Sequence, residues 1–193
     1  MILIQNFYGF YQKARNASWQ VLLDFDIRSL PVNILTIANR SNITVVKNSI
    51  AHELEENEAG LSVLERNRWY IVYDDTNSKE RSRFTIAHEL GHIFLGHPLN
   101  FGYHARTTSK RKPKTESEAD VFASRLLAPA CVLWGLDLHT PEEISKYCGI
   151  SLSAAQIRAD RMKILYERQK FLTSPLEKKV FVNFKEYINQ NRR

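Results

Sequence analysis

The stretch His88-Glu89-Leu90-Gly91-His92 holds the parts of a hydrolytic metal centre. On a helix, residues four apart lie on one face, so His88 and His92 can aim two imidazoles at one point. That supplies two of the ligands a tetrahedral Zn2+ needs. Glu89 lies about 100° further around the helix. From there it cannot easily join as a ligand, but it can reach a water on the open side of the metal and act as a general base. Leu90 and Gly91 face away, and the small Gly91 lets another element pack closely. Three fixed residues at this spacing occur by chance on the order of 1% of the time in a chain this long at ordinary composition.

A catalytic zinc takes three protein ligands and a water, so a third ligand must come from elsewhere. The longer pattern H-E-x-x-H-x-x-G-x-x-H of the metzincins does not supply it, because its glycine position is Leu95 and its last histidine position is Pro98. His97 is one residue out of that register and reads as a helix-end histidine. Thr115-Glu116-Ser117-Glu118-Ala119-Asp120 is the better source. Glu116 and Asp120 share a helical face. Glu116 can ligate the metal, as against serving as a capping or surface carboxylate, and Asp120 can accept the second N–H of a ligand histidine and fix its tautomer. Glu118 points to another side and is expected in solvent. Developing negative charge on a scissile carbonyl needs a further donor. Tyr103 and His104, between the two site helices, are the candidates for it, with an ordinary loop tyrosine and histidine the favoured reading.

The surrounding pattern provides elements to carry these residues. Apolar positions Phe84, Ile86, Leu90, Ile93 and Phe94 follow Ser82, an expected N-cap, and Gly96 with Pro98 ends the helix. A second helix runs from Thr115 to about Ala128, before Pro129. Upstream, Ile43-Thr44-Val45-Val46 is a β-branched strand. Gly60–Glu65 and Trp69–Tyr73 flank Arg66-Asn67-Arg68 and read as a hairpin. Residues 5–27 show helical spacing for one or two helices, and Val32–Ala38 reads as a short one after Leu30-Pro31. The tail beyond Ser174 is charged, with a few aromatics, and only weakly determined.

Taken together, Arg83-Phe-Thr-Ile-Ala-His-Glu-Leu-Gly-His92, Gly96-His97, Glu116-x-x-Ala119-Asp120-x-Phe122-Ala123 and Leu126-Leu127-Ala128-Pro129 resemble the ImmA/IrrE family of metallopeptidases. The likeness covers roughly residues 5–165. Asp120 stands where the family usually has asparagine, and Ala128 where it usually has methionine. Asp120 is similar instead to the E-x-x-x-D arrangement of thermolysin-type sites. The resemblance implies an α+β, zincin-like core with a small sheet packed on the H-E-x-x-H helix. It also implies cleavage of a helix-turn-helix repressor that switches on a mobile element, prophage or stress response.

The C-terminal third, Pro141-Glu-Glu-Ile-Ser-Lys-Tyr-Cys-Gly-Ile-Ser151 followed by Ala154–Lys163, resembles a helix-turn-helix with Arg158, Arg161 and Lys163 on its second helix. Structural support or repressor recognition is favoured over DNA reading, since two helices around a glycine turn are also common packing. The expected organisation is a metallopeptidase core over residues 1–135 and a helical region over 136–193 packed on it. The rival reading is a DNA- or repressor-binding regulator with a structural zinc and no proteolysis.

Composition bounds these readings. With 193 residues, 44% apolar and 25% charged, the chain can bury a core without disulfides. Cys131 and Cys148 form no C-x-x-C pair, which points to a reducing compartment. The N-terminus lacks a basic region ahead of its apolar residues, and no run of about 18 apolar residues occurs. The expected location is therefore the cytoplasm, away from membranes. The net charge of +6 is partly clustered at Lys110-Arg111-Lys112 with Lys114 and at Arg192-Arg193, which read as a solvated loop and tail.

Overall fold

The computed structural model describes residues 2–97 and 114–192. The β-branched run forms β1 (Ile43–Lys47), and the hairpin forms β2 (Gly60–Glu65) and β3 (Arg68–Tyr73). β3 is central: it pairs parallel with β1, from Ile43↔Trp69 to Lys47↔Tyr73, and antiparallel with β2, from Gly60↔Tyr73 to Glu65↔Arg68. The hairpin turn is two residues rather than three, because Arg68 pairs with Glu65. Arg66 and Asn67 both take left-handed backbone (φ 48° and 63°), as two-residue turns that match strand twist require.

The first helix, α1 (Ile2–Asp24), is a single continuous one, and α2 (Ile34–Arg40) begins two residues later than the pattern suggested. The short α3 (Asn48–Ala51) follows β1. α4 (Lys79–Leu95) carries the histidine motif and packs on β2, β3 and α2, and α5 (Lys114–Leu127) carries the carboxylates. α6 (Ala130–Gly135), α7 (Pro141–Cys148), α8 (Leu152–Glu167), α9 (Pro175–Asn183) and α10 (Lys185–Asn191) complete the order. This is a mixed α+β fold with a small three-stranded sheet. Among the described residues, no helix is long and apolar enough to cross a membrane.

By their internal contacts the residues form two compact units, Met1–Ala17 with Ile34–Ala123, and Ser18–Asn33 with Ser124–Arg193. In the first, Ile71 on β3 and Leu90 on α4 are completely buried, with Ile37, Ala38, Ala119 and Phe122 around the same interior. The second contains the tail that sequence left weakly determined. It folds as α9 and α10 because Val180, Phe184 and Ile188 repeat at four-residue spacing and are all buried. Gly135 makes room for this: a Cβ there would stand 2.8 Å from Phe181 Cε2 and Ile188 Cδ1.

Candidate metal centre

α4 begins at Lys79, earlier than the expected cap at Ser82. Asp74 organises the preceding loop, accepting from the Thr76 backbone N–H (2.9 Å) and the Asn77 amide (2.6 Å). The chain therefore arrives at Ser78 already turned, and the Ser78 side chain accepts from the Arg81 N–H to cap the helix. At the other end Gly96 is left-handed (φ 66°), and the Gly96 and His97 N–H groups donate back to the carbonyls of Ile93 and His92. This closure folds His97 back alongside the last turn. Gly91 has the close neighbour its size allows: an added Cβ would lie 3.1 Å from Phe122 Cδ1 and 3.2 Å from Ala119 Cα. α5 thus meets α4 beside the histidines and brings Glu116 over them.

His88 Nε2 and His92 Nε2 lie 3.0 Å apart. Glu116 spans them, with Oε2 at 3.3 Å from His88 Nε2 and Oε1 at 3.2 Å from His92 Nε2. One ligand atom from each of the three residues falls within 4.8 Å of the others. Ligand atoms about 2.1 Å from a tetrahedral ion stand roughly 3.4 Å from one another, so the cluster has the span of a divalent metal site.

Two further polar partners surround the histidines. Asp120 Oδ1 lies 3.0 Å from His88 Nδ1, so it can accept that N–H and leave Nε2 with its lone pair facing the cluster. On the other side, His92 Nδ1 lies 3.1 Å from His97 Nδ1, and His97 Nε2 lies 2.9 Å from Glu118 Oε2. Glu118 is therefore not in solvent. It is buried and faces His97, and His97 faces His92 rather than merely ending the helix. Counting from Glu116 alone put Glu118 on the far side; the closure at Gly96 brings a partner to it there.

Charge follows this geometry. Burial works against protonation of His88, but its hydrogen bonds to the carboxylates of Asp120 and Glu116 outweigh it and push its pKa up to about 9. Hydrogen bonds with His88 and His92 hold the Glu116 carboxyl well below the usual carboxylate range. Burial lowers the pKa of His97, against the opposing hydrogen bond with Glu118.

Glu89 is buried beside the cluster, and Ser62 on β2 donates to its Oε2 at 2.6 Å. Sequence reasoning missed Ser62. Its signal was a serine at the inward-facing position of the hairpin, directly opposite Ile71, the fully buried centre of β3. Tyr103 and His104 lie outside the described residues, as does the Lys110-Arg111-Lys112 cluster.

The model of the Peptidase M78 family, the IrrE N-terminal-like domain, matches residues 38–160. The chain belongs to that family. The match takes in the whole cluster described above, from Ser62 to Asp120, so the geometry lies within the Peptidase M78 region of the chain. An uncharacterized immunity region protein 2 of Bacillus phage phi105 is 31% identical over 101 residues, covering 52% of this chain and 61% of the phage protein. The chain thus spans about three fifths of that relative's length. For a peptidase family, the donor set is fitting: two imidazoles and one carboxylate, with a second carboxylate adjacent in sequence to the first imidazole.

Proposed function

We propose that this protein is a zinc-dependent endopeptidase of the cytoplasm that cleaves a helix-turn-helix transcriptional repressor. His88, His92 and Glu116 would hold the ion. The observation that carries the reading is the meeting of three side chains, His88, His92 and Glu116, at 3.0–3.3 Å, with the buried Glu89 carboxylate beside them. When bound, zinc supplies Lewis acidity, polarising a scissile carbonyl and easing deprotonation of a water. Glu89 takes that proton and returns it to the leaving nitrogen. Ser62, donating to one Glu89 oxygen, holds the carboxylate in place and leaves the other oxygen for proton transfer. Asp120 keeps His88 in the tautomer that presents Nε2. In this reading residues 1–135 form the peptidase core and 136–193 a supporting or repressor-recognising region. The phage relative is named for an immunity region, which supports a repressor as the substrate.

A regulator with a structural zinc is the alternative. A structural site is closed by four protein ligands, whereas the cluster among the described residues has three. Arg158, one of the three basic residues offered for DNA reading, is buried, which weighs against α8 as a DNA-reading helix.

The test mixes purified protein with repressors encoded near it, with and without chelator, and sequences any fragments. Cleavage that stops with chelator is expected. Glu89→Gln should retain zinc and lose activity by about 100-fold or more. Undiminished cleavage by Glu89→Gln would sink the mechanism.

A further inference from the structure

The geometry points to a two-imidazole relay: Glu118 and His97 set the tautomer and ring orientation of His92. The inference rests on the reading of His88, His92 and Glu116 as the metal ligands. His88 has a direct carboxylate partner in Asp120. Among the described residues, the group on the Nδ1 of His92 is another imidazole, 3.1 Å away, and the carboxylate follows one ring further out at 2.9 Å.

Proton counting fixes the direction of every bond. A neutral imidazole carries one N–H. If His92 gives its Nε2 lone pair to the cluster, its proton is on Nδ1 and must be donated. His97 Nδ1 must then accept, which puts the His97 proton on Nε2, where only an acceptor can meet it. Glu118 Oε2 is that acceptor. The relay is enclosed, with the side chains of His97 and Glu118 only 6% and 10% exposed. Lys114 Nζ lies 3.8 Å from the other Glu118 oxygen, and that oxygen is not needed for the relay. The ring centroids are 5.0 Å apart with the planes at 77°, and the 3.1 Å between the two Nδ1 atoms is what sets one ring nitrogen against the next. The same logic turns the Gly96 closure into a functional feature, since it brings His97 back to His92.

His97 and Glu118 are positioning residues, acting on the metal only through His92. Losing an outer partner of a ligand histidine typically costs about 10–100-fold in metal affinity. Long-range proton–nitrogen NMR of the zinc-loaded, histidine-labelled protein should find His92 protonated at Nδ1 and His97 at Nε2. Chelator competition should show His97→Phe and Glu118→Ala weakened by about 10–100-fold. Glu118→Gln, whose amide oxygen accepts the same bond, should stay close to the unsubstituted protein and keep both tautomers. A His97 protonated at Nδ1 in the unsubstituted protein overturns the relay without any variant. So does a folded His97→Phe protein that binds zinc as tightly as before. An unsubstituted protein that binds no zinc overturns the metal centre itself, and the relay with it.

Discussion

His88 faces two carboxylates, Asp120 on Nδ1 and Glu116 on Nε2. Its pKa near 9 therefore lies above the ordinary value of 6.5, so the native state binds this proton more tightly than the unfolded chain does. The resulting stability is fully present below pH 6.5 and is lost as pH rises through about 9. Its size is on the order of 3 kcal/mol, since each tenfold gain in proton affinity corresponds to about 1.4 kcal/mol. Urea unfolding of the metal-free protein at pH 6 and pH 9.5 should show that decline. Asp120→Ala should flatten it, because it removes the larger of the hydrogen bonds that raise the pKa. The same change should weaken zinc retention by about 10–100-fold. An equally steep decline in Asp120→Ala would mean that Asp120 is not what holds the proton.

The distance between α4 and α5 decides whether Glu116 reaches the histidines, and Gly91 sets that distance. A methyl at residue 91 meets the side chain of Phe122 and the backbone of Ala119 at 3.1–3.2 Å, and neither can swing aside. Phe122 is held further by stacking on Phe94, 6.0 Å between centroids and 18° from parallel. Gly91→Ala should therefore cost about 1–3 kcal/mol of stability and lower zinc affinity with it. Gly9→Ala, at an exposed position of α1, is the contrast. A Cβ there meets nothing within 4 Å among the described residues, so this change should stabilise by about 0.5–1 kcal/mol. Thermal unfolding and chelator titration of the two variants side by side would check both signs. β2 is similarly tight against α4, since a Cβ at Gly60 would run into Thr85 Cγ2. That proximity lets Ser62, two residues on, reach Glu89.

Across the molecule, the C-terminal helices also bury apolar side chains. Phe184 is completely buried between the Val180 and Ile188 turns, and Asn183 donates to the Ile27 carbonyl at 2.8 Å, tying α9 to the segment after α1. Phe184→Ala should cost about 3–5 kcal/mol, read from urea unfolding. A loss below about 1 kcal/mol would mean the tail is an accessory rather than part of the core of its unit. Cys131 and Cys148 are both buried and form no disulfide, and burial pushes the Cys131 thiol far above its ordinary pKa. Both therefore contribute packing, and neither is a reactive thiol.

Much of the fold was written locally. Helical spacing, the hairpin between the two β runs and the stop at Gly96 all act within a few residues, and sequence shows them directly. The four-residue spacing of His88 and His92, and of Glu116 and Asp120, is local in the same sense. Where these two faces meet is not. The α4–α5 approach at Gly91, the serine that β2 brings to Glu89 and the loop-back that places His97 between His92 and Glu118 join residues 5 to 32 positions apart. A helical wheel treats each helix as if nothing surrounded it, so it sent Glu118 to solvent. Only the tertiary structure supplies the neighbour that makes a buried carboxylate tolerable, because the cost of burying a charge depends on what it can bond to there.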